Sequence, residues 1–193
     1  VQVPEASALT FFQVGFLGIL CALVSIFFCM MMHGAEKGMR KILPNAWLRV
    51  LAGAGIIIVL TYLCGTNDYN GVGMGVIAAA IEEEKAEPLA FLLKLVFTSV
   101  TLAAGFKGGE IVPSFFVGAA FGCVIAPIIG LPAGFGAAVG LVSVFCGVTN
   151  CPISSVFLSI EIFGAEGMLY FAVACCISYM MSGYRGIYSS QMI

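Results

Sequence analysis

The residues best suited to chemistry stand together in Gly108-Gly109-Glu110-Ile111-Val112-Pro113. Two glycines let a backbone approach a ligand closely, and a proline in the first helical turn starts a helix where its missing N–H does no harm. The amides of Glu110, Ile111 and Val112 then lie at a helix N-terminus. With the helix dipole they form a site for a small anion that needs no fixed cation. Glu110 adds a carboxylate, which if buried could be neutral, relay a proton, or donate a hydrogen bond to a strongly accepting anion. Two plainer readings stand beside this one. Glu110 could simply cap the helix that begins at Pro113, and the glycines could form a tightly packed corner, since Gly118-x-x-x-Gly122 favours close helix packing whatever the function.

The remaining polar residues offer less. His33, the single histidine, sits at a basic boundary without an evident partner. Lys94 lies one turn inside an apolar helix and is expected to snorkel toward water. Glu161 ends a short helix and is expected to make a buried structural hydrogen bond. The eight cysteines (21, 29, 64, 123, 146, 151, 175 and 176) fall in apolar stretches without metal-ligand spacing, so no metal site or cofactor is expected and buried thiols are. A net charge of −2 leaves no basic patch for a nucleic-acid backbone.

Lipid must position these residues. Of 193 residues 61% are hydrophobic and 9% charged, and the mean hydropathy is +1.11, which excludes a soluble domain. The uncharged runs cover residues 6–32, 50–67, 111–160 and 167–184. The third, taken as one helix, would be roughly 75 Å long, more than twice the hydrocarbon thickness. It must be broken, and Pro113, Pro127, Pro132 and Pro152 supply the breaks. The pattern predicts helices over Leu9–Met32, Leu48–Leu63, Val76–Glu87, Leu89–Gly105, Pro113–Ile129, Phe135–Gly147, Pro152–Phe163 and Met168–Met181. Residues 33–49, with Lys37, Arg40, Lys41 and Arg49, read as a basic cytoplasmic loop with Trp47 at the interface. Residues 76–88 read as an acidic surface helix, its glutamates a solvated face. The whole, residues 1–193, is one all-α, multi-pass transmembrane domain of tilted, broken and re-entrant helices, expected in a bacterial-type plasma membrane. Broken helices at membrane depth survive where protein or a water-filled pathway satisfies their backbone. The chain opens on Val1, and its first apolar run lacks the basic flank of a signal peptide, so a fragment or processed product is expected.

Gly-Gly-x-x-x-Pro followed by the Gly118-Ala119-x-x-Gly122 helix resembles the CLC family of voltage-gated chloride channels and anion/proton antiporters. Lys94-Leu95-Val96-Phe97-Thr98 resembles the helix leading into that motif, Asn150-Cys151-Pro152 to Glu161 a later short helix, and Arg185-Gly186-Ile187-Tyr188 the start of the family's last helix. These segments follow in order as the C-terminal half of a subunit.

The resemblance implies the second of two inverted repeats that meet at an ion site. It implies that Glu110, Ile111 and Val112 offer amides to a chloride or related halide, and that the Tyr188 hydroxyl donates to the same ion. An interface tyrosine is the plainer reading of Tyr188. Chloride-conducting members usually carry an apolar residue where Glu110 stands. The fluoride/proton antiporter branch carries Gly-Gly-Glu there, with a threonine two residues on where this chain has Val112. The serine-bearing selectivity loop and gating glutamate of the family belong to the N-terminal half, for which no segment here matches. The implied partners are a small inorganic anion, the lipid membrane, that N-terminal half and a second subunit in a homodimer. A membrane scaffold is the competing class. An intramembrane enzyme using Glu110 and Glu161 as a carboxylate pair comes third.

Overall fold

The computed structural model describes residues 1–183 together with Gly186 and Ile187. Tyr188 and Arg185 lie outside the described residues. The described residues form eight α-helices: α1 (Ala8–Ile42), α2 (Ala46–Cys64), α3 (Met74–Glu82), α4 (Ala90–Ala104), α5 (Ile111–Ile125), α6 (Ala133–Thr149), α7 (Pro152–Phe163) and α8 (Met168–Ser182). A short 3₁₀ turn, Ala126–Ile129, closes α5. Three stretches are long and apolar enough to cross a membrane: α1, α2, and α5 with its 3₁₀ turn. The helices α4, α6, α7 and α8 have only 12 to 17 residues, so they are short of a straight span of about 20.

Helix α6 is the axis. Nearly every residue from Ala133 to Thr149 is buried, and α1, α3, α5, α7 and α8 all pack against it. Lipid is as apolar as leucine, so helices within it associate through close packing and hydrogen bonds rather than hydrophobic expulsion. Glycine makes the close packing available. A Cβ on Gly118 would strike the Gly140 carbonyl, one on Gly122 the Gly136 carbonyl, and one on Gly140 the Gly118 carbonyl. The backbones of α5 and α6 therefore touch directly. Hydroxyls fasten the next layer: Ser25 Oγ donates to Val144 O at 3.2 Å from α1, and Ser178 Oγ to Ser143 O at 2.7 Å from α8.

On α1, Val14, Leu17, Cys21, Phe28, Cys29 and Met32 are buried, at helical spacing, while Leu9, Phe12, Leu23 and Met30 are exposed. The exposed set is the face for lipid. On α2 only Gly53 is buried, where it meets Ala104 of α4; Trp47 at its start is 82% exposed, as an interfacial tryptophan would be. Five of the eight cysteines are buried.

Two expected boundaries change. The stretch 33–49 is not a loop over most of its length: α1 runs on to Ile42, and three residues separate it from α2. Gly34 and Gly38 cost little here because they face open space, Glu36 pairs with Arg40 at 2.7 Å, and Arg40 and Lys41 suit a helix C-terminus. Pro44 then restricts Leu43 and stops the helix. The helix expected over residues 76–88 instead spans Met74–Glu82 and is mainly apolar, so Glu83, Glu84 and Glu87 lie beyond it. Glu84 is not merely solvated, because its Oε1 accepts from Gly134 N at 3.3 Å at the start of α6.

Substitution should separate the two kinds of glycine. Gly122→Val should lower thermal stability by about 1–3 kcal/mol through overpacking, whereas Gly34→Ala should be neutral or stabilising by about 0.5–1 kcal/mol. Thermal unfolding in detergent, followed by intrinsic fluorescence, measures both.

Candidate anion site

Helix α4 ends on Gly105 in the left-handed region, φ 99°, with its amide on Leu102 O and the Phe106 amide on Thr101 O. The chain turns through Phe106–Gly109, and Glu110 becomes the N-cap of α5. Ile111 and Val112 are thus the first two helical residues and Pro113 the third. The helix starts two residues before the expected Pro113, with the proline still inside the first turn.

The amides of Glu110, Ile111 and Val112 make no hydrogen bond to any described residue, and no side chain caps α5. Glu110 thus occupies the capping position of the plainer reading, without a side-chain hydrogen bond to the first turn. The first turn of α6 provides a comparison, since there the Glu84 carboxylate takes the Gly134 amide. The first turn of α6 has a carboxylate acceptor from the protein itself, and the start of α5 has none among the described residues. A helix N-terminus in that condition attracts an anion through its orphan N–H groups and its dipole.

The glycines also divide. Gly118 and Gly122 serve packing, but a Cβ on Gly109 would meet nothing within 4 Å. Gly109 accordingly leaves room instead of filling a corner.

Two cavities flank the start of α5. The larger, about 500 Å³, is lined by Gly108, Gly109, Val112 and Pro113 together with Lys94, Thr98 and Thr101 of α4. The smaller, about 260 Å³, is lined by Glu110 with Met32, His33 and Glu36 of α1, and by Ile187. Val112 thus lines the larger cavity and Glu110 the smaller, while Ile111 lines neither. The Ile187 amide donates to Val148 O at 3.0 Å, and Ser182 Oγ to Asn150 Oδ1 at 3.4 Å. The end of α6, where Asn150 takes a left-handed φ of 56°, thereby holds Ile187 in the lining of the cavity it shares with Glu110.

Lys94 does not snorkel. Its side chain is buried, with Nζ donating to Gly71 O at 2.6 Å and Tyr69 O at 3.2 Å and standing 4.9 Å from the centroid of the Phe116 ring. The lysine ties the 66–73 turn to α5, and Tyr69 stacks beside both Phe97 and Phe116. Helical spacing shows that Lys94 lies near a helix end; it cannot show that a loop more than twenty residues earlier supplies its acceptors. Glu161 also departs from expectation. It is exposed on α7 and lines neither of these cavities.

Lys94→Met should leave the Tyr69 and Gly71 carbonyls without their donor, at about 1–3 kcal/mol. Hydrogen exchange by mass spectrometry should then show residues 66–73 exchanging about tenfold faster or more, with α6 unchanged.

Comparison with known proteins adds four findings. The family model described as voltage gated chloride channel matches residues 1–183. A chloride/fluoride channel protein of Pseudomonas syringae pv. tomato is 36% identical over 183 residues, covering 91% of this chain and 40% of that protein. An uncharacterised protein of Methanocaldococcus jannaschii is 25% identical over 181 residues, covering 88% and 45%. A crystal structure of a CLC-type fluoride/proton antiporter matches with a TM-score of 0.94 at 30% identity, over 98% of this chain and 48% of that one. The chain thus spans less than half the length of each.

Proposed function

Because the chain belongs to the voltage-gated chloride channel family, the CLC proteins, we propose that it forms one half of a fluoride-transporting pathway that exchanges the anion for protons. The protein is an all-helical integral membrane protein of a channel and transporter family, which removes the enzyme reading. The observation that carries the proposal is the start of α5, where, among the described residues, nothing accepts from the three amides and the adjacent carboxylate takes none of them. The amides suit any small anion; the carboxylate does not.

Chloride or a related halide leads on the motif alone. Fluoride is favoured by the relatives, one named a chloride/fluoride channel and one a fluoride/proton antiporter. Chemistry supports the same choice. Fluoride is the strongest hydrogen-bond acceptor among the halides, and a protonated Glu110 beside the amides would donate to it, whereas an ionised Glu110 would repel any anion. The same carboxyl can carry a proton in one direction while the ion leaves in the other. Val112 contributes its amide and not a hydroxyl, and Tyr188 would supply the side-chain donor.

The chain is read as the second inverted repeat, completed by an N-terminal half and working as a homodimer. Support comes from the broken helices around α5 and from the exposed apolar residues on α2 and α7, such as Leu51, Ile58, Ile153 and Phe157, which need lipid or protein against them. The basic end of α1 would face the cytoplasm of a bacterial-type plasma membrane.

Flux from liposomes tests the proposal, with fluoride and chloride electrodes read in parallel. Fluoride efflux faster than chloride efflux is expected when the chain is reconstituted with its matching N-terminal half, and none from the chain alone. Glu110→Gln should cut coupled proton movement by about tenfold or more, the equivalent of 1.4 kcal/mol in barrier. Equal chloride and fluoride rates, or unchanged proton movement in that variant, would count against it.

A further inference from the structure

The smaller cavity holds more ionisable chemistry than an anion site requires. Along one side of α1, Cys29, His33 and Glu36 recur at helical spacing, and His33 and Glu36 line the cavity together with Glu110. The other walls are apolar: Leu102 and Ala103 from α4, Met32 from α1, and Ile187. Arg49 of α2 stands beside Gly105 at the end of α4, and Lys107 lines the larger cavity. Neither lines this one.

The histidine is set up to handle a proton. Its Nδ1 lies 2.9 Å from Cys29 O, and a carbonyl can only accept, so Nδ1 carries the hydrogen and Nε2 is the nitrogen that gains and loses one. Glu36, one turn further out, is held by Arg40, and its side chain is 47% exposed. A sequence of groups therefore runs from water at Glu36, through a half-buried imidazole, to the half-buried Glu110.

We propose that His33 is the proton donor and acceptor for Glu110, so that protons reach the anion site through the cavity on the α1 side. In the loading step the N–H bond at Nε2 of the imidazolium breaks and an O–H bond forms on Glu110, directly or through one water. A cation and an anion become two neutral groups, and the imidazole then recovers its proton from the Glu36 side. The inference rests on the reading of Glu110 as the proton-handling carboxyl, and names the residue that serves it.

Two measurements test it. The first uses His33→Asn, which keeps an N–H donor near the Nδ1 position, and His33→Gln, beside Glu110→Gln, in liposomes with the N-terminal half. Both histidine variants should lower fluoride-coupled proton flux about tenfold and leave fluoride movement within about twofold. Wild-type proton flux in both would overturn the role of His33 while Glu110 stands. Unchanged proton flux in Glu110→Gln would remove the reading of Glu110 and this inference with it. The second needs no histidine substitution, because the chain contains one histidine and its imidazole nitrogen-15 signals report His33 alone. A proton exchanged between His33 and Glu110 makes those signals depend on the carboxyl, so they should move between wild type and Glu110→Gln at matched pH. Unmoved signals would overturn the proposal.

Discussion

The contact between α5 and α6 is the constraint on which everything else depends. Backbone lies against backbone where Gly118 and Gly122 face Gly136 and Gly140, a separation that no side chain would permit. That contact fixes the direction of α5, and the direction of α5 decides where its first turn presents three amides. Because α6 is buried almost throughout, its register is over-determined by the helices around it. Rigidity at this point would suit the proposed anion site, since an anion held by backbone dipoles is bound well only if the dipoles do not have to reorganise to receive it.

The link before α5 is secured from the outside as well. Lys94 joins α4 to the 66–73 turn, and that turn presses on Phe116 through both Tyr69 and Gly73. A buried ammonium would be expensive alone, and here carbonyl oxygens and an aromatic face replace its hydration. The charge lines the same cavity as Gly108 and Gly109. Structure and electrostatics therefore meet in one residue whose position on the helix suggests neither.

Much of the site was legible in the amino-acid sequence. Glycine before a carboxylate and a proline three residues after it define a helix start with free amides, and Glu110, Ile111 and Val112 occupy the cap and first two helical positions. Gly118-x-x-x-Gly122 likewise announced close packing. Local signals misled at the end of α1, where Gly34, Gly38 and a cluster of charges resemble a turn but continue as a helix, because an exposed helix tolerates glycine that touches nothing. The partners of Lys94, the carboxylate of Glu84 on α6 and the approach of Ile187 to Glu110 were not legible, since each joins segments far apart in the chain. Periodicity reports which face of a helix is buried and not what buries it. Tyr188 remains on the sequence side of that line, outside the described residues.

The most direct measurement concerns the amides themselves. Fluoride-19 to nitrogen-15 dipolar dephasing in solid-state NMR reads the distance between bound fluoride and individually labelled backbone nitrogens, in protein reconstituted with the N-terminal half. Fluoride held at the start of α5 should dephase Ile111 and Val112 strongly and leave the first turn of α6, already occupied by Glu84, unaffected. Bound fluoride that dephases neither residue would contradict the assignment of α5 as the anion site.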